Sequence, residues 1–187
     1  MDIISWEDVD IEDEEISEAD IANAESSGKI PPLKFLGTCE ESNAVEAKMP
    51  DYTGYKANLK WTIDEVLEVG TFNLDTDTND FHPATEEEKN RYEGRFVFDD
   101  ILLAHPSEAD WAKNRRIIVA KRCGLMKPGD KITTKLFSSD IIGIQAIITT
   151  EGKKSKEGAK QPFYVNVAFD GYASVTDATE VDNFDDI

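Results

Sequence analysis

Residues 55–63 alternate without a break: Tyr55, Ala57, Leu59, Trp61 and Ile63 interleave with Lys56, Asn58, Lys60 and Thr62. Successive side chains of a strand point to opposite faces, so this segment makes a strand with one dry and one wet side. Half-wet strands belong to antiparallel sheets. Four further stretches read as strands: about 33–42 (LKFLGTCEES), about 92–103, about 140–150 (DIIGIQAIITT) and 162–175 (PFYVNVAFDGYASV). In the 92–103 stretch Phe96 and Phe98 share one face, and Arg95 and Val97 the other. The polar segment 73–91 reads as a long loop. Ser107-Glu108-Ala109-Asp110 is a capping-box variant and Gly124 a helix stop. One helix is therefore expected up to about Cys123, burying Trp111, Ile118, Val119 and Cys123.

The resulting order, β-β-β-α-β-β, predicts a mainly β fold. Its connectivity is that of a five-stranded OB-fold-like Greek-key barrel with one helix between strands three and four. Pro31-Pro32 marks a boundary. The predicted organisation is an acidic N-terminal segment (1–28), an OB-fold-like nucleic-acid-binding domain (29–175) and an acidic C-terminal tail (176–187).

Charge is distributed unevenly. The 187 residues carry 39 acids and 20 bases, a net of -19. Segment 1–28 holds eleven acids and no base, and 171–187 holds five acids and no base. The middle, 29–170, keeps 23 acids against all 20 bases, and 113–160 has twelve bases against four acids. A basic stretch between acidic ends points to a polyanion partner for the basic part.

The candidate contacts follow from this pattern. Lys153, Lys154, Lys156 and Lys160 fill a turn between the last two strands, where cations can track a phosphate backbone. Equally, lysine keeps an exposed turn soluble. If Leu59 and Trp61 point inward, Lys56 and Lys60 point outward, and by the same parity Arg95 turns away from Phe96 and Phe98. Arg115 and Arg116 add cations from the helix. On the last strand Phe163, Val165, Val167 and Phe169 form one face; Tyr164 lies on the other, where a ring beside cations gives bases a stacking surface.

Other chemistries find no pattern. Two cysteines and two histidines without zinc-site spacing predict no metal. No phosphate loop, nucleophile elbow or glycine cluster ahead of a helix occurs, so no enzyme activity and no cofactor are expected. Asp75, Asp77 and Asp80 lack the glycine and terminal glutamate of a calcium loop. No apolar run reaches membrane-helix length, and the acidic start lacks a basic n-region, so a cytoplasmic protein with reduced thiols is expected.

The pieces YEGRFVF, the helix ending in CGL, SDIIGIQAIITTEG and YVNVAF, together with the acidic tail around Phe184, resemble bacteriophage single-stranded DNA-binding proteins of the OB-fold replication and recombination type. The resemblance spans about 33–187. It implies sequence-tolerant binding of single-stranded DNA in phage replication or recombination. It also implies that a tail motif of Asp182, Phe184, Asp185 and Asp186 recruits replication proteins and competes with DNA. The chain departs from that family in ending on Ile187 rather than an aromatic residue, and in its acidic N-terminal segment.

Two other functions suit the composition: an acidic DNA mimic that inhibits a host nuclease or restriction system, and a protein-only replisome or assembly adaptor. A mimic spreads acids over its folded surface, whereas here the excess sits in the two ends. The sequence sets no oligomeric state.

Overall fold

A computed structural model describes residues 29–48, 53–104 and 110–176. The chain divides into two units, Met1–Ile30 and Pro31–Ile187. The proposed cap at Ser107, the tail motif and segment 1–28 lie outside the described residues.

The second unit is mainly β, built on one antiparallel sheet of six strands. In chain order these are β1 (Leu33–Lys48), β2 (Thr53–Asn73), β3 (Thr78–Pro83), β4 (Phe96–Ala104), β5 (Gln145–Lys154) and β6 (Phe163–Ala173). Helix α1 (Glu86–Tyr92) precedes β4, and α2 (Asp110–Arg122) follows it. A π-helical turn, Leu136–Asp140, leads toward β5.

The predicted alternation in β2 forms as read. Ala57, Leu59, Trp61 and Ile63 are buried, and the intervening residues are not. Tyr55 keeps the same parity but is 56% exposed, because the sheet extends past the core at that end. β2 runs 21 residues and has two partners on one edge. Its first half pairs with β4 (Lys60 opposite Phe98) and its last residues with β3 (Gly70 opposite Phe81). Its other edge pairs with β1 from Leu33–Val69 to Lys48–Thr53. β1 then pairs with β5, and β5 with β6.

Three expectations are corrected. The strand count is six rather than five, and β4 and β6 are not hydrogen-bonded to each other, so the sheet is not closed. Segment 73–91 is not a loop: it completes β2, turns at Asp77 (φ 54°), forms β3 and then α1. The helix between β4 and β5 is therefore not alone. Thr85 starts α1 by accepting the Glu88 backbone N–H at 3.2 Å, and three glutamates fill the first turn, where the helix dipole favours negative charge.

Helix α2 packs against β4 and β6. Val119 and Cys123 are buried as expected, together with Ala112, Arg115 and Ala120, whereas Ile118 is half-buried and Trp111 is 54% exposed. Gly124 ends the helix at φ 73°, as its position in the sequence implies. No helix among the described residues is long and apolar enough to cross a membrane.

Candidate nucleic-acid interface

The outward face of β2 and β4 carries the strongest candidate surface. Residues directly opposite each other in an antiparallel pair share a face. Lys60 lies opposite Phe98, and Thr62 opposite Phe96. Both phenylalanines are exposed, Phe98 at 56% and Phe96 at 41%. The Lys60 ammonium sits 4.1 Å from the centre of the Phe96 ring. Two exposed rings two residues apart on a strand, one of them covered by a lysine ammonium, form an apolar patch beside positive charge.

This corrects the expected parity of β4. The sequence pattern puts Phe96 and Phe98 on the face opposite the outward lysines, yet they share that face with Lys56 and Lys60. The inward set is Val97, Asp99 and Ile101. Asp99 is the reason the pattern misleads, because a carboxylate stands where the core is.

Both lysines already have partners. Lys60 reaches Glu41 at 3.0 Å and Glu40 at 3.7 Å, and Lys56 reaches Asp100 at 2.5 Å. All of these side chains are partly open to solvent. Such exposed pairs contribute about 0–1 kcal/mol, so a phosphate can replace the carboxylate at small cost. Arg95 is half-buried in the turn ahead of β4, where its carbonyl accepts the Ile63 N–H at 2.8 Å.

Asp99 reaches across to β6, which no ladder joins to β4. Its carboxylate accepts from Tyr172 Oη of β6 at 2.6 Å and from Arg115 of α2 at 2.8 Å. Trp61 packs edge-on against Tyr172, and the Arg115 guanidinium lies 5.3 Å from the Tyr172 ring centre. Burial pushes the Asp99 carboxyl up from its ordinary range; Arg115 and the Tyr172 hydroxyl pull the other way without cancelling it. Burial also raises Tyr172, and the neighbouring carboxylate adds to the shift.

Arg115 is therefore only 8% exposed and serves this core network, so it is removed from the phosphate contacts. Arg116 and Arg122 likewise cap strand edges. Arg116 donates to the Leu102 carbonyl of β4 at 2.9 Å, and Arg122 to the Asp170 and Tyr172 carbonyls of β6. Three arginines of α2 thus hold the two edges that have no ladder between them.

The lysine turn is a second, separate patch. β5 extends through Lys154, so Lys153 and Lys154 are strand residues, and Lys156 and Lys160 flank Gly158 at φ 84°. Lys153 pairs with Glu151 at 2.9 Å, which raises its ammonium pKa. Lys154, Lys156 and Lys160 are exposed, with no ion pair to a described residue. Tyr164 lies opposite Lys153 and is 44% exposed, on the wet side as expected. Phe163 packs on Phe72 with ring centres 5.2 Å apart.

The expected single face of β6 does not persist. The register slips between Ile148 and Thr150, so Val167, Ala168 and Tyr172 are buried while Phe169 is 43% exposed. A bulge of this kind turns the strand and resets its parity. The two cysteines are buried free thiols, each pushed up to about 12 by burial. Among the described residues no cluster of three metal-ligating side chains occurs. No protein-family model and no curated protein sequence matches the chain.

Proposed function

We propose that this protein binds single-stranded nucleic acid, with single-stranded DNA of a phage replication or recombination process as its target, and that its open sheet is an OB-fold variant. The pairings β1–β2, β2–β4, β1–β5 and β5–β6, with α2 between β4 and β5, support this reading; β3 is additional, and the β4–β6 pairing that would close a barrel is absent among the described residues. In that fold the second and third strands carry the ligand face, and these correspond to β2 and β4.

The observation that carries the reading is the exposed pair Phe96 and Phe98 with the Lys60 ammonium over the Phe96 ring. Every base has a π face, so such a patch accepts bases without reading their sequence; each stacked base contributes about 1–3 kcal/mol. Lys56 and Lys60 supply phosphate partners at the rim. Lys154, Lys156, Lys160 and Tyr164 extend the positive, aromatic surface elsewhere on the sheet. The tail motif Asp182, Phe184, Asp185 and Asp186 is proposed to recruit replication proteins.

Fluorescence-anisotropy titration with labelled oligo-dT and with duplex DNA, at two salt concentrations, tests this. Tighter, salt-weakened binding to oligo-dT is expected. Absence of binding to either strand form contradicts the proposal.

A further inference from the structure

The two exposed rings of β4 are not equivalent. Lys60 stands directly opposite Phe98 in the ladder, yet its ammonium runs to the diagonal neighbour and lies 4.1 Å from the centre of the Phe96 ring. Diagonal positions are about 7–8 Å apart, within reach of a long side chain. Thr62, directly opposite Phe96, is too short to cover that ring. Among the described residues no cation lies over Phe98, which is the more exposed of the two rings.

Strand β1 completes the arrangement around Lys60. Consecutive strand residues ordinarily point to opposite faces. Here the register slips between Cys39, opposite Trp61, and Glu41, opposite Lys60, so Glu40 is the extra residue of a bulge. The bulge brings two successive carboxylates to one lysine, Glu41 at 3.0 Å and Glu40 at 3.7 Å. Lys60 is held more closely than its neighbour: its side chain is 21% exposed, against 31% for Lys56.

These contacts differ in what they do when a phosphate arrives. The two carboxylates are anions open to solvent, and a phosphate can take their place at the ammonium. The ring attracts the cation through its quadrupole and carries no charge, so it keeps its hold while the anions exchange. A base stacking on Phe96 must compete with the ammonium for the ring. A base stacking on Phe98 displaces no cation.

We propose that the two rings have different tasks: Phe98 stacks a base, and Phe96 is a positioning residue that holds the Lys60 ammonium for the adjoining phosphate, which replaces Glu40 and Glu41. This division presupposes the single-strand binding proposed above and assigns the parts of that site.

The test is a salt series of oligo-dT titrations on the full chain and on Phe96→Leu, Phe96→Tyr, Phe98→Leu and Lys60→Gln, with proton spectra of each protein free of nucleic acid. In the free parent the Lys60 side-chain protons should be shifted upfield by the Phe96 ring current; Phe96→Leu should abolish the shift and Phe98→Leu should keep it. Phe98→Leu should weaken binding at every salt concentration without changing the slope of log affinity against log salt. Phe96→Leu should weaken binding by up to about fivefold, the scale of an exposed cation–π contact. It should also flatten the slope by up to about 0.7, the value for one phosphate contact, as Lys60→Gln does. Phe96→Tyr, which keeps the ring, should restore the parent slope, and Phe96→Leu should add little to Lys60→Gln. A parent without the upfield shift overturns the proposal. So do additive losses from Phe96→Leu and Lys60→Gln, or a Phe96→Leu that weakens binding with its slope unchanged; both leave single-strand binding standing and make Phe96 a second stacking ring. A parent that does not bind oligo-dT contradicts the single-strand reading itself, and the division of tasks falls with it.

Discussion

The two sides of β4 invert the usual arrangement. Its outward side shows Phe96 and Phe98 to water; its inward side buries Asp99, at 9% exposure. Burying aromatic rings stabilises a fold, and burying a carboxylate costs several kcal/mol unless it is fully partnered. A strand built for stability alone would exchange the two sets. Asp99 is tolerated because Arg115 and Tyr172 meet it, and together the three tie β4 to α2 and β6 where no backbone ladder does. The exposed rings have no comparable structural task. The inward side of β4 therefore governs stability, and the outward side is the one proposed for binding.

The largest effect expected from breaking this contrast lies inward. Asp99→Ala leaves the Arg115 charge buried without its partner, and should lower unfolding stability by about 3–5 kcal/mol in urea denaturation. Because burial already disfavours the ionised carboxyl, Asp99→Leu combined with Arg115→Met should recover most of that loss. A double variant no better than either single would mean that the pair, rather than its burial, dominates. Tyr172→Phe removes one hydrogen bond to a charged group and should cost about 1.5–3 kcal/mol.

Next in size is the outward side. Phe98→Ala should weaken oligo-dT binding by about 1–3 kcal/mol, while its unfolding stability stays within about 0.5 kcal/mol of the parent. A drop in stability as large as the drop in affinity would place Phe98 in the fold rather than the interface. Smaller again is the lysine turn. Replacing Lys154, Lys156 and Lys160 by Ala should flatten the slope of log affinity against log salt by about 2, at about 0.7 for each phosphate no longer neutralised. An unchanged slope would detach this patch from the ligand path.

The last prediction concerns chemistry rather than affinity. Cys39 and Cys123, each with pKa about 12, should not react with a disulfide reagent at mildly alkaline pH until the protein unfolds. Thiol reactivity then reports opening of the core around Asp99, and Asp99→Ala should accelerate it.

Much of this contrast is legible in the sequence, and the illegible parts have physical causes. The β2 alternation locates one wall of the core, and Gly124 locates the end of α2. The capping box Thr85-Glu86-Glu87-Glu88 announces α1, but the surrounding polar run masks it. β4 reads inside out because Phe-Val-Phe-Asp-Asp-Ile offers two phenylalanines as the obvious core, and only Arg115 and Tyr172, distant in sequence, make Asp99 the buried residue. Arg115 has the look of a phosphate contact for the same reason: a lone arginine on a helix does not reveal its carboxylate. The bulge in β6 comes from the mismatch between the β6 and β5 spans that join Ile148–Tyr172 to Thr150–Val167, which a period-two pattern in one strand does not contain.

The central claim is that bases stack on the outward side of β4. Ultraviolet cross-linking of an iodouridine-substituted oligonucleotide to the full chain, followed by peptide mapping, addresses it most directly. The predicted result is cross-linking at Phe96 or Phe98, abolished at whichever position is changed to Ala. Cross-links confined to other segments, with none on β4, would contradict the account.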